Sequence, residues 1–131
     1  MKFAVLGARI LLGLVFFVFG LNGFFGFLPP PELTPAAQEF FGALVGSGFL
    51  FEFIKATEVV CGALLLAGVL VPLALTVLAP IVLNIVAFHL FLDPAGMPIA
   101  LVILALQVFL AWAYRGHFAS VLRAKAQPTL G

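Results

Sequence analysis

The chain opens on an apolar run from Phe3 to Phe27 in which Arg9 is the single charged position. A helix that crosses the roughly 30 Å hydrocarbon core of a bilayer needs about 20 such residues at about 1.5 Å rise each. Three further runs of this kind follow, and the pattern predicts crossing helices over about residues 3–27, 49–70, 72–92 and 96–114. Breakers mark their ends. Gly20, Gly23 and Gly26 precede Pro29-Pro30-Pro31, so the far end of the first span is expected to be bent or tightly packed. Val71-Pro72 reads as a very short turn that makes spans two and three an antiparallel hairpin, and Asp93-Pro94 reads as an N-cap with a first-turn proline opening the fourth span. Between Pro29 and Gly48 the chain turns more polar. There Thr34 is expected to cap, and Pro35 to start, a short interfacial or re-entrant helix carrying Gln38, Glu39, Phe40, Phe41 and Leu44. The predicted fold is all-α: an integral membrane four-helix bundle in one domain, 1–131, with a short interfacial helix between helices 1 and 2.

Composition strengthens this picture. The 131 residues are 65% hydrophobic, against the 45–50% of soluble domains, and no polar stretch is long enough to hold a separate soluble domain. Arg9 near the start of the first run, and the lack of a small-x-small cleavage pattern after it, predict a retained helix rather than a signal peptide. Charge adds an orientation. Lys2 and Arg9 lie at the start and Arg115, Arg123 and Lys125 at the end, while the 1–2 and 3–4 connections carry Glu32, Glu39 and Asp93 without a positive charge. The positive-inside rule therefore puts both termini in the cytoplasm of a multi-pass protein of a bacterial inner membrane, as an even number of spans also requires. A net charge of +1 argues against nucleic acid as a partner, and Cys61 alone allows neither an internal disulfide nor a dithiol. Membrane lipids, and a larger membrane complex or further copies of the chain, are the expected partners.

The segment Phe51-Glu-Phe-Ile-Lys-Ala-Thr-Glu58 breaks the apolar pattern. Counted from the outer end of span two, Glu52 is about 5 Å deep, Lys55 about 9 Å and Glu58 about 13 Å, along an oblique stripe on one side of the helix. Asn84 in span three falls level with Glu58, and His89 nearer Lys55 and Glu52. Asn22 in span one is placed like Lys55, and Gln107 in span four lies close to the middle. An unpaired charge at a helix centre costs about 2.5 to 3.5 kcal/mol, so Glu58 must be paired, protonated or wetted. The expected solution is a polar cluster of Arg9, Asn22, Glu52, Lys55, Glu58, Asn84 and His89 inside the bundle, opening toward the outer face. Each member also has a plainer reading. Arg9 either turns inward to Glu58 or snorkels to cytoplasmic headgroups; the stripe is either a structural ion-pair network or a substrate, proton or quinone site; His89 is either a hydrogen-bonded structural imidazole or a ligand and proton carrier. Asn84 and Gln107 also fit a role in stitching helices together, and the sixteen phenylalanines one in core and lipid contact. Converging metal ligands are missing from the pattern.

The stretches ARILLGLVFFVFGLNGF, KATEVVCGALLLAGVLVPLAL, LNIVAFHLFLDP and AWAYRGHFASVL together resemble the DoxX-like family of small four-helix bacterial membrane proteins over nearly the whole chain. The family's Arg in helix one, Gly-rich end of that helix, and Glu before a Gly-Ala-Leu-Leu-Leu run fall on Arg9, Gly20 and Glu58. Asn84 and His89 match the N-x4-H followed by F-L-x-P of one branch, while Asn22 stands where the founding pattern tends toward Lys. The resemblance implies one DoxX-like transmembrane domain. It also implies kinship with the membrane subunit of a thiosulfate:quinone oxidoreductase and with parts of other redox assemblies.

No flavin fingerprint, metal site or dithiol is visible, so the chain holds no self-sufficient catalytic site and no covalently bound cofactor is expected. The leading expectation is a small membrane or accessory subunit of a redox or respiratory assembly, presenting a quinone- or thiol-linked site near the outer leaflet. Lys55, His89 and Glu52 are the candidates to meet a quinone. The alternatives are a non-enzymatic structural or assembly subunit and, third, a small-solute transporter, for which the halves show no convincing internal repeat.

Overall fold

Runs of Leu, Val, Ala and Phe leave the backbone no polar neighbour but itself, and helix satisfies every internal N–H and C=O. In the computed structural model, which describes residues 1–129, five α-helices form: α1 (Lys2–Phe25), α2 (Pro35–Gly46), α3 (Leu50–Ala67), α4 (Val71–Phe91) and α5 (Met97–Ala113). Short 3₁₀ turns lie at Pro94–Gly96 and Arg115–Phe118, and the described residues contain no strand. Three stretches are long and apolar enough to cross a membrane: Lys2–Phe25, Val71–Phe91 and Pro94–Ala113. α3, at 18 residues about 27 Å long, nearly matches them in length, but Glu52, Lys55 and Glu58 interrupt its apolar surface.

The ends follow local chemistry. Gly26 takes the left-handed conformation after α1, and its N–H bonds the Asn22 carbonyl. Thr34 caps α2 as expected, its hydroxyl accepting from the Ala37 N–H, with Pro35 in the first turn. The same hydroxyl donates to the Leu92 carbonyl and so ties the start of α2 to the end of α4. The α3–α4 reversal differs from the expected Val71-Pro72 turn. Gly68, at φ 73°, stops α3, while Val71 and Pro72 are already helical, because a proline needs no N–H partner in a first turn. Asp93 precedes the 3₁₀ turn, but its side chain makes no capping bond.

α1 packs on α3 along most of its length, and α4 on α5; the α1–α5 and α3–α4 contacts are sparser. The α1–α3 seam is a close approach of backbones. A Cβ on Gly62 would lie 2.5 Å from the Phe17 nitrogen and 2.9 Å from the Gly13 oxygen, and one on Gly20 would lie 2.7 Å from the Val59 side chain. The tightly packed end expected for span one is therefore a glycine seam. The buried core gathers Leu12 and Phe16 of α1, Cys61 and Leu65 of α3, Leu75, Leu78 and Val82 of α4, and Ile103 and Leu110 of α5. Gln107, also buried, donates from Nε2 to the Leu75 carbonyl at 2.8 Å and joins α5 to α4. The larger part of this core lies toward the end that carries the chain termini; Lys55 and His89 lie toward the other end.

Candidate functional site

α3 is the spine of the site. Three residues of helix bring Lys55 and Glu58 onto neighbouring faces, and their side chains form an ion pair with Nζ 3.4 Å from Oε2. Glu58 is only 5% exposed, at the rim of the apolar core, so the ammonium supplies the charge that its surroundings lack. The Lys55 stem reaches Glu58 across α1. Its Cγ and Cδ occupy the space that a Cβ on Gly23 would need, at 2.5 and 2.6 Å. Gly23 thus provides a slot for a lysine stem; the ammonium lies 5.7 Å from the Phe51 ring centroid, and the side chain as a whole remains one-fifth exposed. Glu52, one turn nearer the start of α3, is exposed and makes no ion pair among the described residues.

Arg9 is placed elsewhere. Its guanidinium lies against Gly68, with Nη1 2.6 Å from where a Cβ would stand, beside the end of α3. Its Nε is buried and has no hydrogen-bond partner among the described residues. Among the described residues no carboxylate comes within ion-pair distance of it. The expected Arg9–Glu58 pairing fails because of the register of the seam. Arg9 faces Gly68, Gly13 faces Gly62, Gly20 faces Val59 and Gly23 faces Lys55, so Glu58 lies level with the neighbourhood of Gly20. That level is eleven residues beyond Arg9, about 16 Å along α1.

The other expected members divide. Asn22 is half-buried, and its Oδ1 accepts from the Leu28 N–H at 2.7 Å, closing the turn after α1 next to the Gly23 slot. Asn84 is exposed and donates to the Pro80 carbonyl of its own helix at 2.9 Å, so it does not join the cluster. His89 forms a second polar centre. Its Nδ1 lies 3.1 Å from the Asp93 carbonyl oxygen and 3.8 Å from the Asp93 carboxylate, and Asp93 is buried. The imidazole occupies the space above Gly96 that a Cβ would fill, and it meets Phe88 edge to face at 5.1 Å. Phe40 and Phe41 of α2 pack on Phe88 in turn, at 5.5 and 5.1 Å between centroids.

Asp93, Gly23 and Gly96 were not singled out as site residues by the sequence. Their signal is faint there: an aspartate before proline, and glycines among thirteen. What the arrangement offers chemically is a fixed, partly exposed ammonium, a free carboxylate one turn away, and a separate imidazole backed by a buried aspartate.

A family model, DoxX, matches residues 4–92 and so takes in α1 to α4 with Arg9, Lys55, Glu58 and His89. Comparison with curated proteins and with solved structures gives no match. A match over well more than half of the chain, on a structure of long apolar helices, is decisive: the protein belongs to the DoxX family and is a small membrane protein.

Proposed function

We propose that the chain is the membrane subunit of a quinone-linked redox assembly in a bacterial inner membrane, with α3 as the fourth crossing helix of a four-helix bundle and both termini cytoplasmic. The observation that carries this reading is the lysine of α3. Its stem is laid in the Gly23 slot, its ammonium is held on Glu58, and it keeps an accessible face at the end of the molecule where Glu52 is exposed. A positioned ammonium can donate a hydrogen bond to a quinone carbonyl, and a nearby free carboxylate can exchange the proton that reduction requires. Charge supports the orientation: Lys2, Arg9, Arg115, Arg123 and Lys125 lie toward the termini, and Glu32, Glu39 and Asp93 lie on the connections at the other end. A partner is proposed to supply the electrons: the described residues hold no cluster of metal ligands, and Cys61 is a lone thiol.

The test is purification in gentle detergent from the native membrane, followed by quinone-coupled turnover of whatever assembly travels with the chain. Glu52→Gln is expected to slow turnover at least about tenfold while leaving the fold intact. Unchanged quinone reduction in that variant overturns the assignment. Stoichiometric co-purification with a complex that neither binds nor turns over quinone moves the chain to the structural-subunit reading.

A further inference from the structure

The second polar centre allows a sharper statement, which rests on the quinone reading above. A backbone carbonyl only accepts hydrogen bonds, so the His89 nitrogen facing the Asp93 carbonyl, Nδ1, must carry the proton. In a neutral imidazole the other nitrogen, Nε2, then bears a lone pair. The described residues supply no hydrogen-bond partner to Nε2, and it is not among the side-chain atoms sealed from solvent. Two further features hold the ring in this state. Gly96 leaves the space that the ring fills, and Asp93, whose carbonyl accepts from Nδ1, is itself buried. Phe88 flanks the imidazole, and Phe40, itself exposed, extends the aromatic wall onto α2.

We infer that His89 is a specificity residue for the reduced form of the quinone: Nε2 accepts a hydrogen bond from a quinol hydroxyl against the Phe88 and Phe40 rings, held by Asp93 and the Gly96 cradle. A quinone has carbonyls and no hydroxyl, so this nitrogen has nothing to accept from it. Donation to a carbonyl belongs to the Lys55 ammonium, and the two centres thereby distinguish the two oxidation states. This separates roles that the sequence assigned to Lys55 and His89 alike.

The experiment uses the full chain in lipid nanodiscs with ¹⁵N-labelled histidine. His117 is the only other histidine, so His117→Gln leaves a single labelled ring. Nitrogen shifts and two-bond couplings report the tautomer, and a short-chain benzoquinol and its benzoquinone are added in turn. The expected result is an Nδ1-protonated ring whose Nε2 resonance moves with quinol and stays in place with quinone. Gly96→Ala is expected to give a mixture of tautomers and about tenfold weaker quinol binding, the scale of one lost hydrogen bond. An Nε2-protonated ring in the parent chain overturns the inference. So does a resonance that stays in place while equilibrium dialysis shows quinone or quinol bound, and in that case the quinone reading survives without it. If neither compound binds, both fall together.

Discussion

Removing the Lys55 ammonium leaves the Glu58 carboxylate at the rim of an apolar core without its counter-charge. Breaking a buried pair from one side costs more than replacing both members, because the survivor keeps its desolvation penalty. Lys55→Met is therefore expected to lower stability by about 3 kcal/mol, and Lys55→Met with Glu58→Leu to regain most of the loss. Unfolding followed by circular dichroism in detergent measures both, and a double variant no more stable than the single one contradicts the account. That Glu58 needs a partner is legible in the sequence, since burial of an isolated charge is too costly to stand. Which partner it takes is legible only in part. Lys55 is three residues away on the same helix, so helical spacing alone brings it near. Arg9 lies on another helix, and depth counted from the ends of two spans says nothing of how they slide past each other. Asn84 shows the matching gap in rotation: it has the right depth and lies on the exposed side of α4.

Helices are specified more securely than the contacts between them. Thr34 and Pro35 marked the start of α2 because hydroxyl capping and a proline without N–H are local chemistry, and the structure has both. The α3–α4 reversal was misplaced by a few residues because proline suits a first helical turn as well as a loop; Gly68 in the left-handed region is the true stop. The α1–α3 seam was half visible, as glycines at the end of span one, whereas the role of Gly62 depends on Phe17 of a different helix. Gly62→Ala is expected to force the seam apart and cost about 2 to 3 kcal/mol, since its Cβ would meet backbone rather than a movable side chain. Gly7→Ala, with open space around it on the same α1, is expected to add about 0.5 to 1 kcal/mol of stability. Thermal unfolding of the two variants side by side checks the contrast, and equal effects would refute the close-approach explanation.

At the scale of the molecule, two closely packed helix pairs, α1 with α3 and α4 with α5, meet along looser lines, and α3 is the most polar of the long helices. The composition of the whole chain announced a membrane protein without ambiguity, because nothing soluble is 65% hydrophobic over such runs. The pairing order was not announced: the short α3–α4 reversal suggests a close hairpin there, yet α3 packs mainly on α1 and α4 mainly on α5. During synthesis this matters. α3 emerges from the ribosome with a lysine and a glutamate well inside it, each worth about 2.5 to 3.5 kcal/mol against entry into lipid on its own. α1 is already made, and it offers the Gly23 slot and a glycine face to receive them. In the proposed four-span arrangement, α3 enters the bilayer as the guest of a helix already there. In an insertion assay with glycosylation sites on both flanks, α3 behind an unrelated apolar helix is expected largely to fail to insert, and to succeed when α1 precedes it. Equal insertion behind either helix would mean that α3 needs no host.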